Sequence, residues 1–162
     1  MSRSSAAPPA LDHLAAAVAR LGHSAMTDSR AALLRLRLPL DHGAAEVLLI
    51  PDRDDGDLLC LLPDWLVLPN PLPDPGARGR LAELLLAANF ELALAAFELD
   101  PHGGEVRLRL TLPLAGARVT DDQLARSLAA LRHAAERYWP AAQKVLWAGS
   151  EPAAALEDLS IS

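Results

Sequence analysis

Leu34-Arg35-Leu36-Arg37-Leu38, then Asp41-His42-Gly43, then Glu46-Val47-Leu48-Leu49-Ile50 is the stretch that decides the fold class. Successive side chains of a strand point to opposite faces, so the three leucines share one face and the two arginines the other. Turn residues between two such runs predict an antiparallel hairpin. Downstream, Asp52 to Gly56 reads as a polar turn. A third strand follows at Leu58–Leu62 and resumes at Trp65–Leu68, with Pro63 marking an edge or a bulge. A second hairpin joins Leu92–Asp100 to Glu105–Leu114 around Pro101-His102-Gly103-Gly104.

Helical spacing surrounds these strands. Leu11, Leu14, Val18 and Leu21 predict a helix over 9–22, which Gly22 closes. Pro69 to Pro75 is a proline-rich connector. Asp74 then caps a helix over 75–89, with Leu81, Leu84, Leu85 and Ala88 on its apolar side and Asn89 at its end. Thr120 and Gln123 form a capping box for a helix over 120–138, with Leu124, Leu128, Leu131, Ala135 and Tyr138 along its seam. Pro140 is expected to interrupt it before a last turn at Val145–Trp147. The expectation is an α+β fold in the order α-β-β-β-α-β-β-α. A five-stranded antiparallel sheet carries the helices mainly on one face, with Leu36, Leu84, Leu108, Leu110, Leu128 and Leu131 in the core. Residues 1–8 read as a flexible leader, 9–148 as one domain, and 149–162 as a flexible tail.

Composition narrows the class. Apolar residues make up 51% of the 162 and aromatics only 4%, so the core is aliphatic. Fifteen basic against 21 acidic residues give a net charge of −6, which disfavours nonspecific nucleic-acid binding. The single cysteine, Cys60, has no partner for an internal disulfide and sits in an apolar run. It reads as a small buried hydrophobe in a cytoplasmic chain. The opening residues do not read as a secretory signal, and no apolar run is long enough for a membrane span.

Catalytic signals are poor. Phosphate-cradling loops, nucleophile elbows and dinucleotide fingerprints are missing. Histidines 13, 23, 42, 102 and 133 do not make a metal-binding spacing, and His42 and His102 fall in turns. Asp52, Asp54, Asp55 and Asp57 superficially resemble a calcium loop but lack its ligand pattern. The expectation is therefore no cofactor, no metal and no catalytic residue. The enzymatic alternative would rest on carboxylates such as Asp64 or Asp100 working in a pocket.

Two features point to binding instead. Arg35 and Arg37 share one strand face and Arg107 and Arg109 another, stripes suited to acidic segments or, as an alternative, nucleic-acid phosphates. The third strand does not alternate, so both of its faces ask for cover. Either a second copy of the chain supplies it, or the leader, the proline connector or the tail does. On the dimer reading, Leu59, Leu61, Trp65, Leu66 and Val67 hold the outward apolar positions, with the arginines flanking the surface offered to a partner.

The run Leu84-Leu85-Leu86-Ala87-Ala88-Asn89-Phe90-Glu91-Leu92-Ala93-Leu94-Ala95-Ala96-Phe97-Glu98-Leu99-Asp100 resembles the bacterial YbjN-type family of the type III secretion chaperone-like superfamily. The strand from Glu105, the Thr120-Asp121-Asp122-Gln123-Leu124 helix start and Arg137-Tyr138-Trp139-Pro140 follow in the order that family shows. One departure is Ala95-Ala96, where the family favours a glycine. The resemblance implies a homodimeric, non-enzymatic binding module. Such a module is chaperone-like or a sensory-transduction regulator, and acts by holding another protein.

Overall fold

In the computed structural model, which describes residues 9–51, 56–115 and 117–160, the first hairpin forms as its alternation predicts. Strands β2 (Leu33–Leu40) and β3 (Gly43–Pro51) pair antiparallel from Leu34↔Leu49 to Leu40↔Gly43, so the Asp41-His42 turn sits at the tip. Strand β1 (Ala25–Asp28) flanks them, and β4 (Leu58–Val67), β5 (Ala96–Leu99) and β6 (Glu105–Leu112) complete one sheet in the order β1-β2-β3-β4-β6-β5. Every adjacent pair is antiparallel.

The sheet has six strands rather than the expected five, and the order along the chain changes accordingly. Four residues without alternation, Ala25-Met26-Thr27-Asp28, form β1 because β2 supplies the register, from Ala25↔Leu36 to Asp28↔Leu33. Strand β5 is shorter than expected, because residues 92–95 form a loop.

Helices α1 (Pro9–Arg20), α2 (Ala77–Glu91) and α3 (Asp121–Trp147) pack against the face carrying Leu36, Val47, Leu49, Leu62, Leu108 and Leu110, all buried. Leu84, Leu128 and Leu131 meet them from the helix side. The Thr120–Gln123 capping box opens α3, with Gln123 N–H donating to Thr120 Oγ1 at 3.2 Å and Thr120 N–H to Gln123 Oε1 at 2.9 Å.

Pro140 does not interrupt α3. Losing one main-chain donor costs about 3 kcal/mol. The last turns bury Ala141, Ala142, Val145 and Leu146, each worth up to about 1.5–3 kcal/mol for the larger side chains, and burial wins. Within the stretch expected as a tail, 149–162, the chain forms further helix. Helix α4 (Pro152–Glu157) buries Pro152 and Ala155 against α2 and α3, and a 3₁₀ turn (Asp158–Ser160) follows. Lys144 Nζ reaches Asp158 at 2.6 Å. The expected leader over 1–8 and the Asp52–Asp55 turn lie outside the described residues.

Candidate partner-binding surfaces

Two apolar surfaces remain on the described residues after folding, one on the sheet and one on α2. The first follows from register. On the side of the sheet away from the helices, Leu48 faces Leu61 and Ile50 faces Leu59 across β3 and β4, and all four are half-buried. Arg35 stands beside Leu48 on β2, and Arg109 beside Leu61 on β6. An apolar block is thus framed on both sides by arginines. Among the described elements, the helices contact the strands from the opposite face.

Most of the framing charge is spoken for. Arg35 lies 3.0 Å from Glu46 and 3.5 Å from Asp28. Arg107 and Arg109 lie 2.7 and 3.4 Å from Glu98. Arg37 has no ion pair among the described residues.

Strand β4 distributes its residues differently from the simple alternation. Leu59 and Leu61 do face outward and Val67 is 56% exposed, but Trp65 and Leu66 are buried. Between Leu62↔Leu108 and Leu66↔Val106 the strand bulges, with Asp64 at φ +49°. The bulge turns Trp65 inward, where its Nε1–H donates to the Ala135 carbonyl at 3.0 Å. Its ring meets Phe97 at 4.6 Å and, edge-on, Trp139 at 5.8 Å; Phe97 in turn meets Tyr138. His42, at the hairpin tip, stacks on Trp139. The Arg-Tyr-Trp-Pro run is therefore a packing device that ties α3 to β4 and β5.

The second surface escaped the sequence reading. Helix α2 buries Leu81, Leu84, Leu85 and Ala88, yet Leu86 is 72% and Phe90 93% exposed, and Leu94 in the following loop is 63% exposed. The signal was present: Leu86 and Phe90 are four residues apart and lie off the buried stripe.

The residue that anchors the end of α2 is Asn89. Its Nδ2 donates to the Phe97 carbonyl at 3.0 Å, and its Oδ1 accepts from the Phe97 N–H at 2.7 Å. The amide thereby bonds to an edge strand as a neighbouring strand would. Glu91 accepts from the Tyr138 hydroxyl at 2.8 Å, and burial together with that carboxylate raises the Tyr138 pKa.

The candidates for chemistry are otherwise engaged. Asp100 accepts the His102 N–H at 2.9 Å in its turn, and Asp64 is an exposed residue of the bulge. Burial pushes the Cys60 thiol up to about 12. No group of three or more His, Cys, Asp or Glu that could hold a metal occurs among the described residues. No helix among them is long and apolar enough to cross a membrane.

Among solved structures, the chain is similar to one described as "Crystal structure of YbjN, a putative transcription regulator from E. coli". The TM-score is 0.54 at 19% identity, over 80% of this chain and 91% of that one, a likeness of fold. No curated protein matches the chain. Residues 10–144 match the YbjN family, so the chain belongs to that family, described as "Putative bacterial sensory transduction regulator".

Proposed function

We infer that this YbjN-family chain is a cytoplasmic, non-enzymatic regulatory adaptor that pairs with a second copy of itself and holds a partner protein. The observation that carries the reading is the outer side of α2, where Leu86 and Phe90 remain exposed on a helix already buried on its other side. Apolar side chains gathered in this way mark a surface that another protein covers. In an antiparallel two-fold pairing centred on Leu86, Phe90 falls against Ala82 of the second copy, large against small. The helix, rather than β4, then forms the dimer surface, because Trp65 and Leu66 are occupied in the core.

The outer face of the sheet is left for the partner. Leu48, Ile50, Leu59 and Leu61 supply apolar contact, and Arg35, Arg37, Arg107 and Arg109 frame it. An extended, partly acidic segment suits this face, in the chaperone-like manner. Nucleic acid suits it less, because Asp28, Glu46 and Glu98 already answer three of the four arginines.

Analytical ultracentrifugation of the wild type and of Phe90→Asp tests the dimer. The expected result is a dimer at tens of micromolar that the variant converts to monomer; a monomeric wild type would refute it. A Leu59→Asp, Leu61→Asp double variant should remain a dimer and lose capture of the partner protein.

A further inference from the structure

Strand β2 outruns its neighbour. The β1–β2 register stops at Ala25↔Leu36, whereas β2 continues to Leu40. The cause lies in the end of α1. Gly22, at φ +81°, adopts the left-handed conformation that glycine accepts most readily. Its N–H donates to the Ala19 carbonyl and the His23 N–H donates to the Val18 carbonyl, the glycine-terminated helix end. His23 and Ser24 carry the chain across to the sheet, and pairing begins only at Ala25. The space left beside β2 is a cleft of about 640 Å³. Its walls include His23, Met26, Arg35, Arg37, Pro39 and Glu46. That volume lies in the range of small-molecule sites.

The charge within the cleft is unevenly shared. In register, Arg37 stands directly opposite Glu46. The Glu46 carboxylate nevertheless lies 3.0 Å from Arg35, which also reaches Asp28. One arginine answers two carboxylates while Arg37, among the described residues, answers none. Pro39, two residues on, has no N–H to offer, so this part of β2 is poorly suited to accept another strand. The apolar element is Met26, 74% exposed on the cleft wall. A thioether side chain adapts to varied apolar shapes.

We propose that this cleft is a binding site for a small carboxylate bearing an apolar group, with Arg37 holding the carboxylate and Met26 the apolar part. Two sources share that chemistry: a free aliphatic acid and the carboxyl terminus of a peptide. The site is distinct from the α2 surface, and its test needs no partner protein.

The chain has two methionines, Met1 and Met26, so methionine-methyl labelling gives one reporter in the cleft and one at the chain start. The full-length protein is titrated with octanoate, with a short peptide ending in leucine at a free carboxyl terminus, and with octanol. The expected result is a saturable shift of the Met26 methyl with octanoate or the peptide and none with octanol. Arg37→Ala should weaken it at least about tenfold, and Arg118→Ala should leave it unchanged. Whichever of the two carboxylates saturates at lower concentration identifies the source. No saturable shift with either carboxylate, an equal response in Arg37→Ala, or an equal response to octanol overturns the proposal. Failure here leaves the adaptor reading standing, and a monomeric wild type in the ultracentrifuge leaves the cleft standing.

Discussion

On one edge of the sheet, the Asn89 amide supplies the bonds that a further strand would have made to β5. On the other, β2 runs past the end of β1 and exposes Arg37 beside a cleft. The two edge strands are the same length, four residues each. They differ in what the preceding helix does next. Helix α2 keeps a polar side chain within reach of the strand that follows it, whereas α1 ends on Gly22 and turns away. An unpaired edge invites association with other chains. A side-chain amide closes it with two hydrogen bonds. A gap, in contrast, leaves the Arg37 guanidinium exposed and without an ion pair among the described residues. The β5 edge is thus closed from within the chain, whereas the β1 edge is the one proposed above to take a ligand.

The largest blow to the closed side falls on its floor. Leu108 is fully buried opposite Phe97. Leu108→Ala should cost about 2–5 kcal/mol, measured by denaturant titration. A loss under about 0.5 kcal/mol would mean that the strand's faces are reversed.

The comparison itself rests on Asn89. Asn89→Ala leaves the Phe97 N–H and carbonyl without their partners and should cost about 1–3 kcal/mol. Hydrogen exchange should accelerate at the Phe97 amide first. Unchanged exchange there would show that the edge is closed by something else.

Acid should loosen both edges alike. Asp28 at the end of β1 has its pKa lowered chiefly by the Ala31 N–H, and Asp100 just after β5 by the His102 and Gly103 N–H groups. Both folded-state values lie below the unfolded one. The stabilisation is therefore complete above the ordinary carboxylate range and is lost as pH falls below about 4 through the depressed values. Asp28→Asn and Asp100→Asn should each flatten the acid limb of the stability curve, measured by urea midpoints across pH.

The smallest effect belongs to the open edge. Arg37→Ala should change stability by less than about 0.5 kcal/mol, because the guanidinium is exposed and makes no ion pair among the described residues. A larger loss in thermal unfolding would make Arg37 a structural residue and remove the contrast between the edges.

Local chemistry made much of this legible. Alternation in Leu34–Leu38 is visible because the sheet has one wet and one dry face, and the Thr120–Gln123 box is a contact within one turn of chain. Leu59 and Leu61 could be read as outward for the same reason. Trp65 could not, because it lies inside a bulge where β4 carries two residues more than β6; alternation resumes unchanged at Leu66 and Val67 but does not set the direction of the residue within the bulge. The continuation of α3 through Pro140 was hidden likewise, since the local penalty is visible and the burial of Val145 and Leu146 is not. Asn89 was recognised as a helix end, but its bonding role depends on a strand that the chain reaches only eight residues later.

By itself the sequence determined the α+β class, the main hairpins, the aliphatic core and the family resemblance, because these arise from periodicity and from contacts close along the chain. Only the tertiary structure decided which edge closes, where Trp65 points and which apolar side chains stay on α2 without cover. Each of those depends on packing between elements distant in sequence, where a shift of one residue in register exchanges a buried position for an exposed one.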